Sequence, residues 1–366
     1  MNRHLIKRTI VTLLCTMAIG LSFNSSAEPY LAYKTNLKCM ACHVNPNGGG
    51  LRNEFGRNYG QSLLPAKTID YDSKAIAQLS QLFTLGADAR FNAIGQNDDD
   101  DNTEKTFELS NAQLYLNIAI PNSGLSFYLD QQVAPGTAIN REAYAMYQFD
   151  QRYYIKAGTF FVPYGMRIED DSAFIRQATG MNFDNSDNGV EFSIDYTNTT
   201  VNFYISNGTS QASNDDDAFL YGMRVEHLFS KFRAGASFAL NDGDQQTTMV
   251  NLYSGLQWRD FTFLAEADLI NLEQANTVNG EDIEQLASLL EVNYQWRQGV
   301  NIKLTAEYFD PDRDVSENQQ TRYSVVAEYT PISHLQLRFG LRKKEDIPQL
   351  PEQNYDLVFI QSHFYF

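Results

Sequence analysis

Nowhere in its 366 residues does the sequence hold the run of roughly 18 apolar residues that a membrane-crossing helix needs. Its one long apolar stretch, Ile10 to Leu21, stops at twelve. With a mean hydropathy of -0.39 and charges scattered throughout, a helical membrane protein is excluded. Basic residues are also scarce: 28 Lys and Arg stand against 45 Asp and Glu, for a net charge of -17 and a pI near 4.7. This argues against a nucleic-acid partner, because phosphate binding calls for a basic face. Disorder is excluded by what is plentiful, since 24 Phe and 21 Tyr are too many for a solvated acidic chain. Composition leaves a soluble β-rich protein or an outer-membrane β-barrel, and a barrel of this length folds as one unit.

Cysteine is scarce too, with three copies, and the N-terminus decides which of them matter. Arg3, Lys7 and Arg8 precede the apolar stretch, and a short polar region with Ser25 and Ala27 follows it. That is the layout of a secretory signal peptide, residues 1–27, cleaved after Ala27. The rival reading as a membrane anchor needs a longer stretch and a stop-transfer flank. Lipidation at Cys15 would need a small residue where bulky Leu14 stands. Cleavage takes the net charge to -20 and leaves Cys39 and Cys42 as the only cysteines.

Those two lie in Cys39-Met40-Ala41-Cys42-His43, the C-x-x-C-H pattern of c-type haem attachment. Two thiols at this spacing add to the two vinyl groups of haem, and the adjacent histidine becomes an axial iron ligand. The alternatives are a disulfide, a redox-active C-x-x-C and part of a zinc site. No further cysteines stand nearby for zinc, and the chain shows no α/β pattern for a thioredoxin-like unit. One covalent haem c, with His43 as proximal ligand, is the expected cofactor. Gly48, Gly49 and Gly50 permit close approach of backbone to a flat ligand. Leu51, Phe55 and Tyr59 recur as one stripe of a short helix, expected to pack on the porphyrin. Arg52 and Arg57 are candidates to pair with haem propionates, or they form a solvated helix face. This segment, residues 28–76, is short for a self-sufficient cytochrome, and covalent haem or a barrel wall would support it.

Residues 77–366 settle into segments of roughly ten residues with alternating apolar and polar positions, the pattern of an all-β, antiparallel transmembrane barrel. Sixteen strands are expected, at 78–93, 105–120, 125–134, 142–150, 152–162, 189–196, 199–206, 218–228, 231–240, 247–258, 261–270, 284–296, 300–309, 321–330, 335–343 and 355–366. In the strand at 300–309, Val300, Ile302, Leu304, Ala306 and Tyr308 face out while Asn301, Lys303, Thr305 and Glu307 face in. In the strand at 335–343, Leu335, Leu337, Phe339 and Leu341 face out. Short connections alternate with long ones, as periplasmic turns alternate with extracellular loops. The chain ends in an aromatic strand, "HFYF", with Val358, Ile360, Phe364 and Phe366 on one face. A sandwich or propeller would want both strand faces partly buried or a fixed blade repeat. The longer connections hold 25 of the 45 acidic residues and 6 basic ones, which puts a cation-attracting field at the presumed cell surface. Asp98 to Asp101 and Asp215 to Asp217 are the densest runs, and 163–188, the longest loop, is expected to fold inward and narrow the pore.

A signal peptide, a short C-x-x-C-H segment and a complete porin-like barrel together resemble the fused outer-membrane monohaem cytochrome-porins, including those of iron-oxidising bacteria. The terminal strand resembles the C-terminal signal of bacterial outer-membrane proteins, and "GTFFVPYG" is weakly similar to phosphate-selective and general porins. The family resemblance implies electron transfer between an extracellular metal ion, typically Fe(II), and a periplasmic cytochrome or other carrier. It also implies a location in the outer membrane of a Gram-negative bacterium with both termini periplasmic, and porins are often homotrimers. The sixth iron ligand is not evident, because the segment holds no histidine but His43 and no methionine but Met40. Strand parity offers His334, His363 and Met146 as lumen-facing candidates and puts His227 outside. The competing function is a cation-preferring porin whose haem segment is a plug, gate or sensor without electron flow. Inward Asp88, Asp130, Glu191, Asp195, Glu266, Asp268, Glu291 and Glu307 motivate it, offset by Arg90, Lys156, Arg224, Arg233, Lys303, Arg338 and Arg342.

Overall fold

The computed structural model describes residues 28–70, 72, 77–98, 102–211, 213–214, 216–243, 245–276, 280–346 and 353–366. The signal peptide with Cys15, most of the Asp98 to Asp101 run, and Asp215 lie outside these residues. No helix among the described residues is long and apolar enough to cross a membrane.

Sixteen strands close a barrel in which each pairs antiparallel with the next and the last returns to the first. They are β1 (Phe83–Asp98), β2 (Thr103–Ala119), β3 (Leu125–Ala134), β4 (Ile139–Gln148), β5 (Tyr153–Phe160), β6 (Asp187–Asp195), β7 (Thr199–Ser206) and β8 (Leu220–Leu228). The second half comprises β9 (Phe232–Asn241), β10 (Thr247–Trp258), β11 (Phe261–Leu272), β12 (Ile283–Arg297), β13 (Val300–Asp310), β14 (Gln320–Ile332), β15 (Leu335–Asp346) and β16 (Tyr355–Tyr365). Closure runs from Asp88 opposite Tyr365 to Asp98 opposite Tyr355.

Alternation in sequence becomes inside and outside because successive side chains of a strand point to opposite faces. Along β10, Met249, Asn251 and Tyr253 are buried inside, whereas Val250, Leu252 and Leu256 stand exposed on the outer wall. The outer wall is thus a broad apolar band, larger than the patches soluble monomers expose. Near the short turns it carries stacked aromatics, with Phe261 4.7 Å from Tyr294 and 6.2 Å from Trp258 between ring centroids. The inside is polar, and every charged residue expected to face inward does so. Lys156 and Glu191, for example, are fully buried and 2.6 Å apart.

β3, β7 and β10 occupy the expected bounds, and β1 departs furthest from them. It starts at Phe83 rather than 78, because the Leu79 amide donates to the Phe83 carbonyl in a turn. Ser80 Oγ accepts from the Leu82 amide there. It runs on to Asp98 because the ladders to β2 and β16 continue through polar residues.

Two parts of the chain fill the interior. The N-terminal segment enters at the short-turn end as helix α1 (Pro29–Thr35), a 3-10 turn at Cys39–Ala41 and helix α2 (Glu54–Ser62). It is tied to that mouth by Asn36 Nδ2 donating to Phe229 O (2.9 Å), Gln298 Nε2 to Pro65 O (2.9 Å) and the Ala66 amide to Thr330 O (2.8 Å). Lys38 pairs with Asp195. α1 has no counterpart among the expected elements. Proline opens it, left-handed Asn36 ends it, and Tyr30 and Tyr33 bury its inner face.

The second part is the β5–β6 connection, 161–186, which folds into the lumen and carries helix α3 (Phe174–Gln177). Three of its acidic residues, Glu169, Asp170 and Asp171, do not belong to the outer rim, contrary to expectation, whereas Asp184 is exposed. Glu169 and Asp171 are buried, and Asp170 pairs with Arg342. The inward cations of β13 to β15 draw the loop down.

Candidate functional site

The two cysteines sit on one tight turn, in which the amides of Cys42 and His43 both donate to the Cys39 carbonyl, at 3.1 and 3.0 Å. Residues 51–53 clasp this turn from the other side. Val44 donates to Leu51 O and Asn53 to Cys42 O, each at 2.9 Å. Asn53 is the keystone: its Nδ2 donates to Met40 O (3.0 Å) and Ala41 O (3.1 Å), while its Oδ1 caps α2 by accepting from the Gly56 amide (3.0 Å). Gly56 permits the approach, since a Cβ there would stand 2.0 Å from the Cys42 carbonyl oxygen. Asn53→Ala is expected to cost about 1–2 kcal/mol at the cap. Amide hydrogen exchange over residues 40–58 of the folded barrel should then quicken roughly tenfold. Unchanged exchange would show that the clasp is held otherwise.

Cys39, Cys42 and His43 all line one cavity inside the barrel. The N-terminal segment forms one wall with Tyr33, Cys39, Cys42, His43 and Tyr59. The inward loop contributes Phe161, Met166, Arg167, Arg176, Met181 and Phe183 to the lining. Cys39 and Cys42 are free thiols. Burial raises both pKa values above the ordinary thiol range, and Glu226 adds to the effect at Cys39. His43 faces the cavity yet lies deep within the barrel. Burial, with the Arg52 and Arg167 cations beside it, pushes its pKa down to about 3, so the imidazole is neutral and keeps a lone pair for a metal. No group of three or more His, Cys, Asp or Glu gathers in metal-binding geometry among the described residues.

The lining can hold a flat ligand that carries carboxylates. Gly48 and Gly49 have φ of +87° and +75°; a Cβ on the first would lie 3.0 Å from Cys39 Cβ, and on the second 2.7 Å from the Arg167 guanidinium carbon. Arg176 Nε and Nη2, Arg167 Nε and Tyr33 Oη are buried without a hydrogen-bond partner in the protein. Buried donors are normally paired, and a guanidinium matches a carboxylate. Burial pulls Arg176 below the usual guanidinium pKa, against the opposing pull of Glu266, Asp171 and Asp268.

The other expected site residues lie elsewhere. Arg52 stacks on the Tyr365 ring, 4.4 Å from its centroid, and Arg57 donates to Arg52 O at 3.1 Å. Neither lines the cavity, whereas Arg167 and Arg176 do. Of the Leu51, Phe55 and Tyr59 stripe, only Tyr59 lines it. α2 begins at Glu54, which leaves Leu51 outside the helix and buried against Tyr115 and Tyr128, while Phe55 is half exposed. His363 is inside the barrel with both ring nitrogens engaged, Nε2 by Asp88 (2.6 Å) and Nδ1 by Gln336 (3.1 Å). His334 sits in the β14–β15 turn with Nδ1 2.8 Å from Tyr365 O. Met146 points inward and packs with the Leu51 cluster. None of the three lines the cavity. His227 lies against Phe229 and Thr199.

No protein-family model matches the sequence, and no curated protein matches it. Solved structures match its fold. A loop L8 deletion mutant of OmpT, an outer-membrane protein of Vibrio cholerae, aligns with a TM-score of 0.61 at 13% identity, covering 78% of this chain and 100% of that one. The anion-selective porin from Comamonas acidovorans aligns with a TM-score of 0.61 at 12% identity over 78% and 99% of the two chains. An in-vitro folded, trimeric form of OmpT from Vibrio cholerae aligns with a TM-score of 0.57 at 11% identity over 78% and 100%. At these identities the likeness is one of fold: a porin-like, sixteen-stranded barrel.

Proposed function

We propose that this chain is an outer-membrane electron-transfer protein. It holds one covalent c-type haem in a plugged barrel and passes electrons between an extracellular metal ion such as Fe(II) and a periplasmic cytochrome or similar carrier. The observation that carries the proposal is that Cys39, Cys42 and His43 line one cavity together with Arg167 and Arg176, each of which keeps a buried guanidinium nitrogen without a hydrogen-bond partner in the protein. In this reading Cys39 and Cys42 form the thioether bonds, and neutral His43 supplies the proximal nitrogen. Arg167 and Arg176 hold the propionates. Bound haem supplies a one-electron couple at its iron.

The protein residues position that couple and exclude water from it. Phe161 and Phe183, edge to face at 5.3 Å, close the loop side, and Tyr33 and Tyr59 close the other. The apolar outer wall supports placement in the outer membrane. The resemblance to porins supports the short-turn end, with both termini, in the periplasm. A periplasmic carrier then approaches the same mouth that the N-terminal segment occupies, and the acidic long loops draw cations to the opposite face. The trimeric relative in fold makes a homotrimer the natural assembly to look for.

Stopped-flow spectroscopy on intact cells tests the reading. Fe(II) held by a chelator too large to cross a porin is expected to reduce the haem within the fast phase, because only surface access is open to it. Reduction that waits for cell lysis would refute electron entry from outside.

A further inference from the structure

We infer that Met181, on the inward loop, is the sixth ligand of the haem iron, so that the barrel supplies the distal half of a site whose proximal half is the N-terminal segment. The inference rests on the haem reading above and goes beyond it, because nothing in the C-x-x-C-H segment provides this ligand.

The geometry narrows the choice. A histidine that directly follows the second cysteine binds the iron from one side, so the second axial ligand must come from the wall facing His43. The inward loop is the part of the cavity lining that carries such ligands. His43 is the only histidine among the described residues that line the cavity, and the loop contributes two soft thioethers there, Met166 and Met181. The other candidates are placed differently: His363 has both ring nitrogens engaged, and Met146 packs into the Leu51 cluster.

The two methionines differ in how far they are committed. Met166 is 2% exposed and belongs to the apolar cluster of Tyr30, Tyr33 and Ile175. Its amide donates to Glu266 Oε2 at 2.8 Å. Met181 is partly buried and borders the apolar cluster at Tyr164 without entering it. Its backbone is fixed on both sides, since its amide donates to Thr179 Oγ1 (3.3 Å) and its carbonyl accepts from Arg176 Nη1 (3.1 Å). A thioether on a held backbone and a cavity wall has the reach and the softness to bind iron. The same Arg176 has Nε and Nη2 left for a propionate, so one guanidinium would couple the position of Met181 to that of the haem edge.

The test uses the full-length protein purified from a host that exports it and matures c-type cytochromes, as wild type, Met181→Leu, Met181→His and Met166→Leu. Haem staining of denatured protein on gels first establishes covalent attachment. Wild-type protein without covalent haem would overturn the underlying reading, and this assignment with it. With haem attached, ferric wild type is expected to be low-spin and to show the near-infrared sulfur-to-iron charge-transfer band. Met181→Leu should keep its covalent haem, lose the band completely and turn high-spin, whereas Met166→Leu should keep the band. Met181→His should be low-spin without the band and have a lower reduction potential. If Met181→Leu does not yield a folded barrel, the histidine variant decides the matter alone by the same two signatures. A band that survives either Met181 substitution, is absent from wild type, or disappears in Met166→Leu overturns the assignment.

Discussion

Cys42→Ala is expected to lower haem that resists denaturation by at least about tenfold, because the C-x-x-C-H pattern needs both thiols for full attachment. Cys39→Ala should behave alike. The barrel itself should survive both changes, since its sixteen-strand ladder is built without either cysteine. Alanine at either position breaks no hydrogen bond of the clasp, which runs through the backbone of Cys39 and Cys42 and the side chain of Asn53. The heat-dependent gel shift of the folded barrel is therefore the internal control, and in-gel haem stain is the readout. If Cys42→Ala kept the wild-type stain and reduced c-type absorption bands, the haem assignment would fall. The free thiols would then need another purpose. Loss of the gel shift in parallel with the stain would instead mean that the segment is needed to fold the barrel.

The strands were legible because a barrel wall imposes a two-residue period on every segment. A pattern such as Val300 to Phe309 leaves little freedom in register, as a slip by one residue would turn Lys303 and Glu307 out to the apolar face. The start of β1 was not legible, because Leu79 and Leu82 continue the alternation while their backbone is already turning through Ser80. The motif at Cys39 to His43 is equally plain in sequence, since its chemistry is carried by neighbouring residues.

The rest of the cavity lining is not plain. Loop 161–186 has no periodic pattern, and Arg176 and Met181 become site residues only when Glu169 and Asp170 are drawn to the cations of β13 to β15 across the lumen. Arg52 and Arg57 looked like propionate partners because they lie close to the motif in sequence. In space Arg52 lies over the Tyr365 ring and Arg57, within α2, donates back to the Arg52 carbonyl.

The same long-range pairing yields a result expected in planar bilayers. Sixteen strands would ordinarily leave an aqueous channel, but single channels of the intact protein are expected to conduct at least about tenfold less than an open barrel of that size. The lumen is bridged from both walls. On one side the inward loop is fixed by Glu169 to Lys303 and Arg338, by Asp170 to Arg342, and by the Phe174 amide donating to Glu307 Oε2 at 2.9 Å. On the other, Asn45 Nδ2 meets Glu142 at 3.0 and 3.1 Å, Asn47 Nδ2 meets Glu191 at 3.0 and 2.9 Å, and the Leu51 amide donates to Tyr128 Oη at 3.1 Å. Glu142 and Glu191, which would border water in an open porin, are fully buried.

The double variant Glu169→Gln and Asp170→Asn removes two of the loop's negative charges and takes one ion-pair partner each from Lys303, Arg338 and Arg342. Breaking a buried pair from one side costs about 3–5 kcal/mol, enough to release the loop without touching the strand ladder. Conductance of this variant should rise several-fold toward the open-barrel value, with cation selectivity from the carboxylates that remain. Full porin conductance in the intact protein would defeat the plugged-barrel reading and favour a cation-preferring porin. Low conductance in both proteins would show that the N-terminal segment alone closes the lumen and that the loop's ion pairs serve the cavity wall rather than the seal.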